Sequence, residues 1–317
     1  MRREGSPFKG SWTIALKEAA DHITSARMHL IMVLVLLTAI GSAYGAIESM
    51  RQNASEDTFL FLKLMTVGRE PLPSFAAFMG FLIPLVAIAL GFDAINGEFS
   101  RRTMSRILAQ PIYRDAVLFG KFLGGLLVLG IALMTLWLLL MGLGILLLGL
   151  PPSGDALARG LAYLVATLAY AGVWLALTIA LSTAVNAPAT SALAALAIWL
   201  VVSVFWGMIT PLLAQWISPI DPLEPVSVVT QFEVQQAIAR LSPGTLYGEM
   251  TQLLLDPAAR TIGPIFLEQL RGAVIGAPLP TLQSILLVWP HFAGMIAVML
   301  ALFTLAYVVF QRQEVRA

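Results

Sequence analysis

The chain has 317 residues, of which 58% are hydrophobic and only 12% are charged. Roughly a quarter of the residues are charged in an ordinary soluble domain, so this composition excludes a soluble globular protein and predicts an integral membrane protein. Cysteine is absent, which excludes disulfides, thiolate metal sites and cysteine nucleophiles. The net charge of +1 gives no indication of a nucleic acid partner, and none is expected.

The first 27 residues are predicted to form a helix that lies in the cytoplasmic interface of the membrane. The low overall hydrophobicity, a tryptophan and flanking lysines are typical of such helices; an amphipathic helix on a partner protein is the alternative. No cleavable signal peptide is expected, because the N-terminus is polar and the first long apolar run begins near Met28. The apolar residues at helical spacing are Phe8, Trp12, Ala15, Leu16, Ala19 and Ile23.

Six apolar runs follow, each long enough to cross about 30 Å of hydrocarbon as a helix. The third run is overlong for one perpendicular span, so we expect it to tilt or to extend into the cytosol. The predicted fold is therefore an all-α integral membrane protein with six transmembrane helices. The runs are 28–47, 72–92, 122–149, 159–181, 190–213 and 285–310.

The basic residues are distributed unevenly between the two sides of the predicted bundle. The side that carries both termini and the connections 93–121 and 182–189 holds 12 of the 19 Lys and Arg residues: 5 before Met28, 5 in 93–121 and 2 in the tail. Cytoplasmic loops carry such an excess. Both termini are therefore predicted to be cytoplasmic.

The connection 214–284 is predicted to form a small helical cap on the extracytoplasmic side. Residues 226–241 and 245–255 have the pattern of short amphipathic helices and are bounded by prolines, and 263–280 mixes apolar and polar residues. The predicted domains are the interfacial helix 1–27, spans one to five in 28–213 with the cytoplasmic segment 93–121, the cap 214–284, and the sixth span with its cytoplasmic tail in 285–317.

No motif for catalysis or for binding a cofactor occurs in the chain. The patterns GxxxxGK[ST], HExxH and GxSxG are missing, and the three histidines are far apart in sequence. His291, at the outer mouth of the last span, is interpreted as structural. Ionisable residues are almost absent from the spans, so any transport must draw its free energy from elsewhere. We therefore predict no catalytic residue, no metal and no cofactor.

The segment 93–121 is a basic interruption between the second and third spans. Its residues 98–108 predict a helix of about three turns, with Phe99, Thr103, Ile107 and Leu108 on one side and the arginines on others. Pro111 ends this helix. Such a helix would suit a lever, with an apolar ridge for a partner's groove and charges that set its register. A topology signal that binds anionic headgroups explains the basic residues equally well.

The segment also resembles a known signature. Glu98, Arg102, Thr103, Leu108, Pro111, Arg114 and Lys121 are similar to the E…(G/R)T…L…P…R…K pattern of permeases in the ABC-2 superfamily of exporters, also called type V exporters. The resemblance continues at Leu181 and Ser182, and at Ser242, Pro243 and Tyr247. The chain departs from the pattern at Arg101 and Arg102, where many relatives have a glycine.

The resemblance implies a permease of a prokaryotic plasma membrane that forms a homodimer and docks on two ABC ATPase subunits, which bind ATP and Mg²⁺. Segment 98–108 would be the coupling helix, loop 182–189 at most a minor contact, and an unidentified substrate would leave between the two copies. The apolar, uncharged spans would suit a lipophilic or amphipathic substrate. A membrane scaffold for an extracytoplasmic assembly, without transport, is the alternative. The residues that would contact the ATPase are Glu98, Phe99, Arg101, Arg102, Thr103, Arg106, Ile107, Leu108, Pro111 and Arg114.

Overall fold

The computed structural model describes residues 7–52, 59–110, 112–149, 151–220, 226–259 and 278–313. These residues are almost entirely helical, and six of the helices are long and apolar enough to cross a membrane. The predicted all-α class with six membrane-spanning helices is therefore confirmed.

Short helices lie in the connections that follow the first, second and fifth spans. The fifth span is interrupted by a π-helical turn, which separates α9 from α10. In chain order the helices are α1 (Pro7–Ile23), α2 (Ala26–Gln52), α3 (Leu60–Thr66), α4 (Phe75–Gly91), α5 (Asn96–Ser100), α6 (Met104–Leu108), α7 (Arg114–Leu148), α8 (Gly154–Ala184), α9 (Pro188–Trp199), the π-helical turn (Leu200–Phe205), α10 (Trp206–Ile217), α11 (Val226–Ala239), α12 (Pro243–Leu255) and α13 (Thr281–Arg312).

The third span, α7, extends well beyond the apolar run that predicts it. It has 35 residues, which corresponds to about 52 Å at 1.5 Å per residue, against about 30 Å of hydrocarbon. The helix begins at Arg114 because Tyr113 is extended and the polar residues that follow continue the helix. Lys121 therefore lies about two turns inside a helix and not in a loop.

Helix α8 forms the centre of the bundle and packs against α4, α7, α12 and α13. Small residues permit these close approaches. A Cβ at Gly91 of α4 would lie 3.0 Å from Thr178 of α8, and one at Gly125 of α7 would lie 2.9 Å from Leu175. Gly91 and Gly125 are thus helix-packing residues.

Long-range contacts define the two ends of the bundle. At the end that we call the basic end, Arg27 at the start of α2 pairs with Asp93 after α4 (3.4 Å), and Ser182 near the end of α8 contacts Ile95. At the opposite end, Arg159 near the start of α8 donates to the carbonyl of Leu254, the penultimate residue of α12 (3.2 Å). The connections predicted to share a side do lie at the same end.

The first helix, α1, crosses α7 at the basic end through two glycines. A Cβ at Gly120 would lie 2.6 Å from Ile14, and one at Gly124 would lie 2.8 Å from the Cβ of Glu18. The face of α1 that carries Trp12 and Leu16 is exposed. Ala15 and Ala19 of the predicted apolar face are buried, whereas Trp12 and Leu16 stay half exposed. The position of α1 in the membrane interface stays a prediction.

At the opposite end, two helices lie where the sequence predicts cap helices. Helices α11 and α12 begin and end within two residues of the predicted bounds. Helix α12 does not stand apart from the bundle: Tyr247 and Met250 are buried where it packs against α8 and α13. Residues 221–225 and 260–277 lie outside the described part of the chain, so the cap as a whole stays a prediction.

Candidate functional site at the basic end

The connection between α4 and α7 contains two short helices, α5 and α6, so the prediction of one helix of three turns over 98–108 is wrong. Arg102 separates them with a φ of 55°, the left-handed conformation that glycine adopts most readily. The N–H of Thr103 donates to the carbonyl of Glu98 (2.9 Å), and the N–H of Arg102 donates to Phe99 (3.0 Å). This is the hydrogen-bond pattern of a Schellman cap, in which the left-handed residue is usually glycine. The arginine pair therefore keeps a turn of the kind that glycine favours.

The residues predicted to contact a partner fall into three groups. The side chains of Arg101, Arg102 and Arg106 are exposed. Those of Glu98, Thr103 and Arg114 are hydrogen-bonded within the protein. Those of Phe99, Ile107 and Leu108 are partly buried. Phe99 and Leu108 pack against the protein's own core, so the exposed arginines form the open surface. Pro111 lies outside the described residues.

A buried lysine joins three elements on the inner side of this segment. The Nζ of Lys121 on α7 lies 3.0 Å from Glu18 of α1 and 3.1 Å from Glu98 of α5, and the Lys121 side chain is only 4% exposed. The Thr103 hydroxyl donates to the second oxygen of Glu98. A buried ammonium group needs such anionic partners. We call Lys121, Glu18, Glu98 and Thr103 the ion cluster.

A second set of contacts joins the segment to α8 without charges. Ser182 Oγ accepts the backbone N–H groups of Ile95 (3.0 Å) and Asn96 (3.3 Å). The Asn96 side chain donates through Nδ2 to the carbonyl of Val185 (3.0 Å). The uncharged inner loop is thus bonded to the segment after α4 in its own chain. We call Asn96, Ser182 and Val185 the α5–α8 contact.

The C-terminal end of α13 is hydrogen-bonded to α7 at the same end of the bundle. Arg114, the first residue of α7, donates to the carbonyls of Phe310 and Gln313 (2.6 Å each), and its guanidinium lies over the Phe310 ring (4.9 Å to the centroid). Gln313 in turn donates to the carbonyl of Thr183. The segment after α4 is therefore connected, directly or through one neighbour, to α1, α2, α7, α8 and α13.

Glu18 and Asn96 were not predicted as site residues, and Ser182 was noted only through the resemblance. The sequence pattern places Glu18 on the polar face of an amphipathic helix and Asn96 in the polar end of a span. Their partners come from distant parts of the chain, so no spacing pattern marks them. Only the packing of α1 and α8 around the segment brings these groups together.

The opposite end contains a cavity of about 690 Å³ between α4, α8, the π-helical turn, α10 and α12. Hydroxyl groups and aromatic rings form much of its wall, and Asp256 contributes a carboxylate. Among the described residues, no lysine or arginine lines it. Its polar lining residues include Ser74, Tyr170, Ser203, Thr245, Thr251 and Gln252.

Ser242 and Tyr247, two residues of the family resemblance, hold α12 beside this cavity. Ser242 caps α12 by accepting the N–H of Gly244 (3.2 Å), and its hydroxyl donates to the carbonyl of Val202 (3.0 Å) in the π-helical turn. Such turns interrupt the regular hydrogen bonding of a helix. The Tyr247 hydroxyl donates to Tyr163 of α8 (2.7 Å). The motif Ser242, Pro243 and Tyr247 therefore joins α12 to the fourth and fifth spans.

His291 takes part in a charged cluster beside α12. Its Nε2 lies 2.6 Å from Glu249 Oε2, and Arg240 Nε lies 3.0 Å from the same oxygen. Burial by itself would raise the pKa of the Glu249 carboxyl, but the hydrogen bonds with His291 and Arg240 outweigh it and lower that pKa. These contacts link the end of α11, α12 and the last span.

Comparison with known proteins agrees with this architecture. Residues 12–315 match the model of the family described as "ABC-2 family transporter protein". The chain is 28% identical over 231 residues to the "Probable ABC transporter permease protein NosY" of Pseudomonas aeruginosa, which covers 67% of this chain and 78% of that protein. It is 32% identical over 124 residues to the NosY protein of Stutzerimonas stutzeri, which covers 39% of this chain and 41% of that protein.

The family match extends over nearly the whole chain, from α1 to the end of the last span. It includes the basic segment, the α5–α8 contact and the helices around the cavity. Together with the six membrane-spanning helices, it identifies the chain as a member of the ABC-2 transporter family, an integral membrane permease.

Proposed function

We propose that this permease is the membrane subunit of an exporter driven by a separate ABC ATPase, and that the ATPase docks on the turn that carries Arg101, Arg102 and Arg106. The observation that carries the proposal is the two-sided construction of this turn. Its outer side exposes three cations, while its inner side is hydrogen-bonded to the ends of several spans. A surface of this kind can receive a force and pass it on.

The charge of the exposed side indicates the character of the docking site. Three guanidinium groups within six residues form a compact positive surface, and complementary charge on a partner sets register and accelerates association. Phe99 and Leu108 pack inward, so they stabilise the turn and do not insert into the ATPase. The partner surface should therefore be acidic.

The free energy for transport would come from the partner. The chain contains no GxxxxGK[ST] motif, the loop that cradles nucleotide phosphates in many ATPases. Two ATPase subunits would bind ATP and Mg²⁺, one for each copy of a permease homodimer. Their closure would displace α5 and α6 together, because α5 and α6 are joined by the hydrogen-bonded turn at Arg102.

We place the basic end in the cytoplasm of a prokaryotic cell, with both termini on that side. The excess of Lys and Arg in the inner segments supports this orientation. A cysteine introduced at Ser105 of α6 should then be protected from an impermeant maleimide added to intact cells. One introduced at Ser242 is expected to react only if α12 opens to the outside, because Ser242 is buried; Leu241, which is exposed, is the better outer position.

The cavity at the opposite end is the place where cargo would contact the permease. Its lining of hydroxyl groups and aromatic rings, with the carboxylate of Asp256, suits an amphipathic molecule with a polar, hydrogen-bonding head. Cargo would leave between the two permease copies. Stimulation of ATP hydrolysis in the reconstituted complex by candidate compounds would identify the class of cargo.

The docking proposal is tested with the ABC ATPase encoded beside this chain. The triple variant Arg101→Glu, Arg102→Glu and Arg106→Glu should lose co-purification of the ATPase while the permease still inserts into the membrane. Arg312→Glu is the matched control, because Arg312 is exposed at the same end but on α13. Full ATPase binding by the triple variant contradicts the proposal. The absence of an ABC ATPase gene next to the gene for this chain also contradicts it.

A further inference from the structure

Helix α5 begins without a capping side chain of its own, and a hydroxyl from α8 replaces it. The N-cap residue Ile95 makes no side-chain cap, and Ser182 Oγ accepts the N–H groups of Ile95 and Asn96 instead. The first N–H groups of a helix have no partner within that helix, and a buried donor without a partner is destabilising. Moving α5 away from α8 would leave these buried N–H groups without an acceptor, which costs free energy.

The Asn96 side chain extends this contact to the turn between the fourth and fifth spans. Its Nδ2 donates to the carbonyl of Val185, the C-cap residue of α8, shortly before α9 begins at Pro188. Asn96 is 2% exposed and Ser182 is 1% exposed, so water does not compete for these bonds. One residue of α5 thus holds the end of α8 and the turn that leads to α9.

The ion cluster is built differently. Lys121 reaches Glu18 and Glu98 through a long, flexible side chain, and it joins the segment to α1 and α7. The α5–α8 contact uses a short serine side chain and main-chain groups, so it permits less movement between its partners. It also leads to α8, which packs against α12 and contributes Tyr170 to the cavity wall.

We propose that the α5–α8 contact passes the displacement of α5 to the centre of the bundle, and that Asn96 and Ser182 are the positioning residues of this step. The ion cluster holds α1 and α7 in place and does not carry the displacement. This inference rests on the proposed function, in which an ATPase displaces the turn at Arg102. It gives the uncharged loop after α8 a role within the permease itself.

The amide oxygen of Asn96 supplies a second observation. Asn96 Oδ1 is buried and makes no hydrogen bond with the described residues, although its amide nitrogen is bonded. An unsatisfied buried carbonyl raises the free energy of this arrangement. A displaced arrangement that brings a donor to Oδ1 is stabilised relative to this one, which suits a contact that alternates between two states.

The chain has no cysteine, so a single cysteine at Ser203 reports on the cavity wall at the far end. The permease is assembled with its ATPase in nanodiscs, and the rate of maleimide labelling is read on the permease band without nucleotide and with ATP and vanadate. We expect nucleotide to change this rate by about fivefold or more, the lower range of coupling between distant sites. Ser182→Ala and Asn96→Asp should reduce the change to less than about twofold, while ATPase binding and ATP hydrolysis persist.

Two controls match these variants. Ser191→Ala removes another buried serine hydroxyl near the same end, one without a hydrogen-bond partner among the described residues, and it should leave the labelling change intact. Ser182→Thr keeps a hydroxyl at this position and should therefore retain the nucleotide-dependent change in the labelling rate. Asn96→Asp nearly preserves the shape of the side chain, so it decides the question if Ser182→Ala fails to assemble.

The outcomes separate this inference from the proposed function. A full nucleotide-dependent change in both Ser182→Ala and Asn96→Asp overturns the role of the α5–α8 contact, whether or not the arginines bind the ATPase. Full ATPase binding by the triple arginine variant overturns the docking site instead. If the wild-type complex hydrolyses ATP without any change in the labelling rate at position 203, the displacement does not reach this wall. The proposed role of the α5–α8 contact is then refuted as well.

Discussion

The two ends of the bundle use buried polar groups for different purposes. At the basic end, Lys121 is held between two carboxylates from different elements, and short hydrogen-bonded links join the segment after α4 to its neighbours. At the opposite end, Arg159 is fully buried: its Nε pairs with Asp155 on the same helix (2.8 Å), and its other nitrogens donate to neutral acceptors, among them Ser284 and the carbonyl of Leu254.

The difference indicates a division of labour between the ends. The links at the basic end involve the end residues of several spans, which suits the transfer of a displacement. The opposite end combines a cavity with an interrupted fifth span, an arrangement that can accept a ligand and repack. Variants that weaken one end and leave the other intact will test this comparison.

The largest effect is expected at the ion cluster. Lys121→Met leaves the buried Glu18 and the partly buried Glu98 without their common cation, which should destabilise the protein by about 3–5 kcal/mol. Lys17→Met is the control, because the Lys17 side chain is 57% exposed and exposed ion pairs contribute about 0–1 kcal/mol. Thermal unfolding of the purified permease, followed by tryptophan fluorescence, gives the comparison. Equal loss of stability in both variants would mean that the cluster is not a desolvated site.

A smaller effect is expected where α1 crosses α7. Gly120→Ala places a Cβ 2.6 Å from Ile14 and 2.9 Å from the carbonyl oxygen of Ser11, and such overpacking costs about 1–3 kcal/mol. Gly142 lies further along α7, where a Cβ meets nothing within 4 Å. Gly142→Ala should therefore stabilise the helix by up to about 1 kcal/mol. Unfolding temperatures that shift in the same direction for both variants would contradict the close crossing.

A pH-dependent effect of about 1 kcal/mol is expected at the opposite end. The pKa of Glu249 is lowered from its ordinary value of 4.5, so its paired carboxylate stabilises the folded state above that pH. This contribution is lost as the pH falls through the lowered pKa of the folded protein. Glu249→Gln should reduce the loss of stability that occurs as the pH falls below 4.5, measured by thermal unfolding. The exposed Glu233 of α11 provides the control; an equal change in Glu233→Gln would exclude a specific role for Glu249.

The smallest effect concerns the turn between α5 and α6. Arg102→Gly removes a side chain from a left-handed residue and should stabilise the turn by up to about 1 kcal/mol. Arg101→Gly, at a φ of −85°, should not. Both changes remove one cation, so the affinity of the ATPase for the two variants measures charge separately from backbone conformation. A stability gain at position 101 as large as that at 102 would show that the turn is not the cause.

Local patterns were sufficient for the six spans, but not for the segment after α4. The apolar runs locate all six spanning helices, because each run must fill the hydrocarbon by itself. The single helix over 98–108 was wrong because helical periodicity does not register a left-handed break at Arg102. The pattern also did not reveal that Phe99 and Leu108 pack against core residues that lie elsewhere in the chain.

The sequence by itself determined the membrane class, the number of spans and the grouping of the basic segments, because hydrophobic length and charge act locally. The tertiary structure decided which basic residues face outward and which are paired within the protein. Lys121 is buried beside Glu98, 23 residues away, and Ser182 bonds to a helix start 86 residues away. Such contacts depend on the close packing of α1, α7 and α8, because a polar group is stable inside the protein only when packing brings its partner to it.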